Sequence, residues 1–181
     1  MSGDRLISCG SQTVGPYFRI GLEYLIESTP KIASGTPGNI TIEGRVLDRD
    51  GAPVSDALLE FWSPADTTAF QQSEFPEGFR RVATDEAGAF SVLIQRPKSS
   101  RMKDGRMQAP HMLVLVFARG LLRHLISRVY FEDEDANGSD PVLLTVASER
   151  RSTLIAKSDG AHRFRWDVIL QGSNETVFFA W

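Results

Sequence analysis

From Asn39 onward the chain repeats one pattern, in which apolar and polar residues alternate at every second position. In its first occurrence, Ile40, Ile42 and Val46 alternate with polar neighbours. This pattern is typical of a β-strand with one buried face, because successive side chains of a strand point to opposite faces. Apolar residues spaced three and four positions apart, which would indicate helices, are rare throughout. The alternation therefore predicts a fold made of β-strands.

Turn signals divide the alternating region into short strands. Asp50-Gly51 predicts a hairpin turn, and residues 85–88 predict another. Residues 112–118 are apolar on both faces, so we place this segment in the centre of a sheet. Many short strands of this kind predict an all-β fold, an antiparallel β-sandwich of roughly seven or eight strands. The remaining strands are predicted at 40–46, 57–62, 81–84, 90–94, 127–131, 143–146 and 163–170.

The alternating region divides the chain into an N-terminal arm, residues 1–37, and a β-sandwich, residues 38–181. The arm is predicted to hold at most a short helical piece near 21–27. It contains SQTVGPYFRIGL (11–22), whose apolar residues are unusual because disposable tails are mostly polar. Three long loops in the sandwich, at 63–78, 98–110 and 132–141, are candidates for functional segments.

Composition and charge exclude several classes of protein. A formal net charge of -3 argues against nucleic-acid binding, which usually needs a basic excess. No apolar run approaches the ~18–20 residues that cross a bilayer, and the first residues lack the apolar region of a secretory signal. The single cysteine, Cys9, excludes an internal disulfide framework. These observations predict a soluble, cytoplasmic protein.

The chain contains seven segments that carry a resemblance: SQTVGPY, GRVLDRDGAPVSDALLEFW, RVATDEAGAF, MQAPHMLVLVFARGL, RVYFEDE, RRSTLIA and RFRWDVILQGSNETVFFAW. Together they resemble one family, the intradiol ring-cleavage dioxygenases, and within it the alpha-type chains of members built from alpha and beta chains. The resemblance covers residues 11–181, with the segments in the family's order and spacing. It implies an alpha-beta hetero-oligomer that uses O2 to cleave 3,4-dihydroxybenzoate (protocatechuate) to 3-carboxy-cis,cis-muconate.

The same resemblance allows the metal site to be checked position by position. Iron-bearing chains of the family hold Fe(III) with two tyrosinates and two histidines. Here the first tyrosine position, in the loop after Trp62, corresponds to Phe70, and no tyrosine follows Pro97 at the second. The histidine pair reads His111-Met112-Leu113, and a lone imidazole does not hold Fe(III) selectively. The resemblance therefore implies that this chain has no metal ligands or catalytic residues, and that the partner beta subunit binds the iron. We interpret His111 as a hydrogen-bonded residue under a loop.

The resemblance also gives the arm a role in the partner's substrate pocket. The family's T-x-G-P-Y segment corresponds to Thr13, Gly15, Pro16 and Tyr17. Glycine allows close approach of the backbone to a ligand, proline limits the freedom of the arm, and tyrosine combines an apolar ring with a polar tip. We therefore predict that residues 1–37 reach into the partner subunit. An arm that only ties two subunits together is the alternative.

Arg119, in the sequence FARG, is the second residue that the resemblance places at the substrate cleft. A guanidinium there would favour a substrate that carries a ring carboxylate. The alternative is an ion pair between Arg119 and a carboxylate across the subunit interface. The aromatic tail at 177–181 is predicted to be buried, because exposed it would form an adhesive apolar patch.

Three functions follow from these observations. The first is an alpha subunit that lacks iron, completes the substrate pocket and is inactive when isolated. The second is a homomeric binding or scaffold protein that has kept the fold. The third is an independent dioxygenase with other metal ligands, which the sequence disfavours because no His, Asp and Glu trio has ligand spacing.

Overall fold

The structure, a computed structural model, describes residues 10–15, 17–27, 37–63 and 78–180. These residues contain helix α1 (Tyr17–Glu27) and eleven strands, so the predicted all-β class is confirmed. No helix among them is long and apolar enough to cross a membrane. The strands are β1 (Asn39–Leu47), β2 (Leu58–Trp62), β3 (Phe79–Ala83), β4 (Ala89–Gln95), β5 (Ser100–Arg101), β6 (Met107–Gln108), β7 (His111–Phe117), β8 (Leu125–Phe131), β9 (Ile155–Ser158), β10 (Arg163–Arg165) and β11 (Val168–Ile169).

Nine of these strands form one hydrogen-bonded sheet. Its order is β11-β1-β10-β9-β8-β7-β2-β3, with β4 also paired to β1, and β5-β6 forms a separate hairpin. Strand β7 lies between β8 and β2, which agrees with the central position predicted for it. The sheet folds over a main apolar core, and a smaller apolar cluster lies around Tyr130 and Leu154. The main core is drawn from the inner faces of β1 and β4 on one side and of β2, β7 and β8 on the other.

The sheet is mixed, whereas the sequence predicted an antiparallel sandwich of about seven or eight strands. β1 runs parallel to β10 and β11, and β8 runs parallel to β9. The connection 132–154 between β8 and β9 has the length that a parallel crossover needs. The larger strand count reflects short strands of two to four residues, which carry too little alternation to be predicted.

The predicted strand 163–170 is divided into β10 and β11, and both halves lie beside β1. At the break, the Trp166 amide donates to the Glu43 carbonyl (2.8 Å), and the Arg45 amide donates to the Asp167 carboxylate (2.9 Å). This side chain replaces a backbone acceptor. Gly44 is required here, because a Cβ at this position would collide with the Trp166 carbonyl.

The strand predicted at 143–146 is wrong, because Leu143–Thr145 form a 3-10 helix. The Asp140 carboxylate accepts the amides of Val142 (2.9 Å) and Leu143 (2.7 Å). A side chain that binds the next backbone amides in this way favours a turn over an extended strand.

Both predicted turns are present, and the C-terminal tail packs on its own sandwich. Gly51 and Gly88 have φ of 78° and 69°, a conformation that favours glycine. The Phe179 amide donates to the Ile126 carbonyl (2.8 Å), and Val177 is buried. The predicted burial of the tail is therefore confirmed for Val177, whereas Phe178 and Phe179 are half-buried and Ala180 is exposed. Trp181 lies outside the described residues.

Helix α1 is longer than the helical piece predicted at 21–27, and it has two apolar faces. Phe18, Leu22 and Ile26, spaced by four residues, are half-buried and face the sandwich. On the opposite face, Tyr17 and Tyr24 are exposed together with Ile20.

Candidate functional site

Strand β7 has a polar cluster at each end, and each contains residues that the sequence singled out. We call the first the buried cluster, which lies where β7 begins. The second is the turn cluster, which lies where β7 ends. The buried cluster consists of Gln108, His111, Arg128, Tyr130 and Asp140, and the turn cluster of Thr13, Asp56, Arg119 and Gly120.

In the buried cluster, His111 is 2% exposed. Its Nδ1 lies 2.7 Å from the Ala109 carbonyl oxygen, and its ring centroid lies 5.3 Å from that of Tyr130. Burial, and secondarily the positive charge of Arg128, lowers the pKa of His111 to about 4. The imidazole is therefore neutral near pH 7. Its surroundings agree with the interpretation of His111 as a buried, hydrogen-bonded residue.

Asp140 is the hub of the buried cluster. It is fully buried and accepts four hydrogen bonds, which satisfy a carboxylate that would otherwise be costly to bury. The Tyr130 hydroxyl donates to it at 3.1 Å, and the Ala109 amide donates at 2.8 Å. The other two donors are the amides of Val142 and Leu143.

Arg128 brings a positive charge into the same cluster. It is 8% exposed and lies directly opposite Leu113 in the β7-β8 register. Its Nη1 donates to the Gln108 side-chain oxygen (2.6 Å) and lies 3.4 Å from the Tyr130 hydroxyl, while its Nε has no hydrogen-bond partner. A guanidinium at this position repels a metal cation.

The buried cluster does not fit ferric iron. Fe(III) favours anionic oxygen ligands, whereas burial raises the pKa of Tyr130 and its hydroxyl donates to Asp140. Arg128 adds a positive charge, and Leu113 offers no donor atom. In the part of the chain that the structure describes, no three His, Cys, Asp or Glu side chains come together as metal ligands. Phe70 lies outside that part.

The turn cluster is built on the tight turn that follows β7. The Leu121 amide donates to the Ala118 carbonyl (3.2 Å), and Gly120 has φ of 90°, which favours glycine. Arg119 therefore stands at the tip of the turn rather than within the strand. Its Nε lies 3.0 Å from Asp56 Oδ2, and its side chain remains 61% exposed, whereas that of Asp56 is 19% exposed.

The arm is attached to the same turn. The Gly120 amide donates to Thr13 Oγ1 (2.8 Å), although these residues are 107 positions apart. Phe18 packs on Phe117, with ring centroids 5.7 Å apart. The structure thus brings Thr13 and Arg119, two residues predicted for the substrate site, to one turn.

The other predicted arm residues are less constrained by their own chain. The Gly15 carbonyl accepts the Phe18 amide (3.0 Å), and the space around its Cα is open. Tyr17 is 77% exposed. Pro16 lies outside the described residues. A small cavity of about 220 Å³ lies beside this attachment, with Val14 and His124 in its lining.

The sequence interpretation missed Asp56 and Gly120. The signal for Asp56 lay in the strand register, because Leu58 of β2 pairs with Phe117 of β7. In an antiparallel pair, the residue two positions before Leu58 comes beside the residue two positions after Phe117. Those residues are Asp56 and Arg119, but the β2-β7 pairing was not predicted.

Comparison with known proteins places this chain in one family. The family model described as Dioxygenase matches residues 15–172. The chain therefore belongs to this dioxygenase family. It is 42% identical to the protocatechuate 3,4-dioxygenase alpha chain of Burkholderia cepacia, over 93% of this chain and 95% of that one. It is 36% identical to the corresponding alpha chain of Pseudomonas putida, over 93% of this chain and 94% of that one. The resemblance inferred from the sequence is confirmed.

Other relatives are more distant. The protocatechuate 3,4-dioxygenase beta chain of Burkholderia cepacia is 23% identical over 76% of this chain and 66% of its own length. Among solved structures, the dioxygenase domain of a carbohydrate-binding fusion protein from Streptomyces sp. SirexAA-E superposes with a TM-score of 0.58 at 23% identity. That match covers 78% of this chain and 86% of that one. Catechol 1,2-dioxygenase from Pseudomonas arvilla C-1 gives 0.58 at 21% identity, covering 77% of this chain and 54% of that one. At these identities the two structures support the fold.

Proposed function

We propose that this chain is the alpha subunit of a protocatechuate 3,4-dioxygenase and completes the substrate pocket of a beta-type subunit that holds Fe(III). The observation that carries this proposal is the turn cluster. In it, the Gly120 amide binds Thr13 of the arm, and the exposed Arg119 is the residue just before Gly120. The similarity of the chain to two named alpha chains, over nearly the whole length of each, supports the same assignment.

Arg119 binds the ring carboxylate of protocatechuate in this proposal. The guanidinium is exposed and belongs to the turn that follows the apolar strand β7. Its planar fork of N–H donors matches a carboxylate. Charge-assisted hydrogen bonds contribute about 1.5–3 kcal/mol each, which corresponds to roughly tenfold to a hundredfold in affinity. Asp56 already pairs with Arg119 within the chain. The alternative role of Arg119 is therefore to form this intrachain ion pair.

The arm contributes the second part of the pocket. Thr13, Gly15, Pro16 and Tyr17 present backbone and side-chain groups to the ligand, and the exposed face of α1 contacts the partner. The open surroundings of Gly15 and the exposed ring of Tyr17 support this role, because both groups remain available to another molecule.

The two subunits divide the reaction between them. Iron in the partner supplies the activation of the bound catecholate toward O2, and this chain binds and orients the substrate. Because the described residues do not fit ferric iron, the isolated chain is inactive. We place the assembled enzyme in the cytoplasm, as the sequence predicts.

Replacement of Arg119 in the assembled alpha-beta enzyme tests this function. We expect Arg119→Ala to raise KM for protocatechuate about tenfold to a hundredfold, while iron content and the visible iron spectrum are unchanged. Arg163→Ala is the matched control, because Arg163 is also an exposed arginine beside a carboxylate, that of Glu43. Equal KM values for the Arg119 variant and the wild type would remove Arg119 from the pocket. Failure to purify with any beta-type chain would favour the homomeric scaffold function.

A further inference from the structure

We infer that Asp56 is a positioning residue, which holds the guanidinium of Arg119 in the orientation that receives the substrate carboxylate. The inference rests on the proposed function and adds to it a residue that does not itself contact substrate. It is carried by the ion pair between Asp56 Oδ2 and Arg119 Nε at 3.0 Å and by the way each side of that pair is fixed.

Asp56 is fixed by a buried threonine. The Thr84 hydroxyl donates to the Val54 carbonyl (2.7 Å) and accepts the Ala57 amide (3.0 Å). The Thr84 amide donates in turn to the Ala57 carbonyl (3.0 Å), and Thr84 is fully buried. The backbone of the segment that contains Asp56 is therefore held on both sides, which fixes the position from which its carboxylate contacts Arg119.

Arg119 is much more exposed than Asp56. Its backbone stands at the tip of a turn, and its side chain is mostly exposed, so that without Asp56 it would sample many rotamers. The pair engages Nε and leaves the side chain accessible to solvent. Asp56 thus restricts the orientation of the guanidinium without covering it. Ordering a binding group in advance reduces the cost of ordering it when the ligand arrives.

The arm contacts the same turn as Asp56. Gly120, the next residue after Arg119, donates to Thr13. Asp56 on one side and Thr13 on the other therefore contact two successive residues of a single turn. Both parts of the proposed pocket, the cationic group and the arm, are held relative to each other through the end of β7.

Two effects of removing Asp56 have opposite signs, and this makes the inference testable. Loss of orientation raises KM for protocatechuate, whereas loss of a nearby negative charge strengthens the attraction of Arg119 for a carboxylate and lowers KM. If Asp56 positions Arg119, the first effect is larger. Since an exposed ion pair contributes little, we expect Asp56→Asn to raise KM about 1.4- to fivefold with kcat nearly unchanged.

The experiment uses the co-expressed alpha-beta enzyme and measures KM, kcat and iron content for Asp56→Asn, Asp56→Glu, Arg119→Ala and the double variant Asp56→Asn/Arg119→Ala. We expect Asp56→Glu, which keeps the charge, to have a KM between those of the wild type and Asp56→Asn. Asp56→Asn should have no further effect once Arg119 is alanine, because the two residues act through one contact. As a competitive inhibitor, catechol, which has no carboxylate, should bind the wild type and Asp56→Asn equally well.

The outcomes separate the inference from the proposed function. A raised KM for Arg119→Ala with an unchanged or lowered KM for both Asp56 variants overturns the positioning role and leaves the function intact. If Asp56→Asn does not assemble with the beta-type chain, the KM of Asp56→Glu is the test. A wild-type KM for Asp56→Glu then overturns the positioning role of Asp56. An additive effect of Asp56→Asn in the Arg119→Ala background also overturns it, because the residue would then act elsewhere. Unchanged KM for every variant contradicts the proposed pocket itself.

Discussion

The two ends of β7 differ in how their polar groups are satisfied. At the start of the strand, Asp140 binds four donors of its own chain, and His111 and Tyr130 are closed off from solvent. At the end of the strand, about 20 Å away, Arg119 and the arm remain exposed. One strand thus carries a closed polar network and an open one.

This difference distinguishes an end that stabilises the fold from an end whose side chains are available to other molecules. Buried polar groups that are satisfied internally stabilise one conformation, and the buried cluster offers no free carboxylate to a ligand. Exposed charged and aromatic side chains on anchored backbone are available for recognition. These contacts agree with the motif similarity, which pointed to Arg119 and left His111 as a buried, hydrogen-bonded residue.

The largest expected effect is the loss of Asp140. Replacement by alanine leaves the Tyr130 hydroxyl and three amides without their acceptor, so we expect Asp140→Ala to lower the free energy of unfolding by about 3–5 kcal/mol. Urea unfolding of the assembled enzyme measures this. Asp135→Ala is the control, since Asp135 is exposed in the same loop. Equal stability of the two variants would show that the buried cluster is not a structural network.

The next effect is a pH dependence that belongs to the buried end. An unfolded histidine takes up a proton near pH 6.5, but buried His111 does so only near pH 4. Between these values the unfolded state binds more protons, so stability falls as the pH drops from about 6.5 to about 4, by up to about 3 kcal/mol. We expect His111→Gln to remove this part of the pH dependence of the unfolding free energy.

His124→Gln serves as the control for that measurement, because His124 is exposed. Its profile between pH 7 and pH 4 should match that of the wild type. A wild-type slope in His111→Gln would mean that other groups cause the loss of stability in acid.

A smaller effect is expected at the open end, where one hydrogen bond joins the arm to the turn. Thr13→Val keeps the shape of the side chain but removes the acceptor of the Gly120 amide. A bond of this kind contributes about 0.5–1.5 kcal/mol, so KM for protocatechuate should rise about two- to tenfold. Thr13→Ser, which keeps the hydroxyl, should stay near the wild-type KM. Equal KM for Thr13→Val and the wild type would show that this bond does not position the arm.

Local pattern was sufficient for much of the fold. Alternation identified β1 and β4, and the turn signals at Asp50-Gly51 and at residues 85–88 identified their turns, because both kinds of signal depend on neighbouring residues. The prediction of strand 163–170 failed because a side chain takes the place of a backbone hydrogen-bond acceptor for a residue far away in the sequence. The Asp167 side chain breaks the last predicted strand by binding the Arg45 amide of another strand.

The candidate site shows the same limit. Motif similarity identified Thr13 and Arg119, and the structure brings them to one turn through Gly120. It did not identify Asp56, because its proximity to Arg119 follows from the pairing of β2 with β7. Strand register is a tertiary property that alternation alone leaves open.

The most direct test of the central claim is metal analysis of the separated chains after co-expression with a beta-type subunit. We expect iron to accompany the beta-type chain, and this chain alone to be colourless, free of stoichiometric iron and inactive. Recombination should restore the iron-coloured, active enzyme. Stoichiometric iron and ring cleavage by this chain alone would contradict the account.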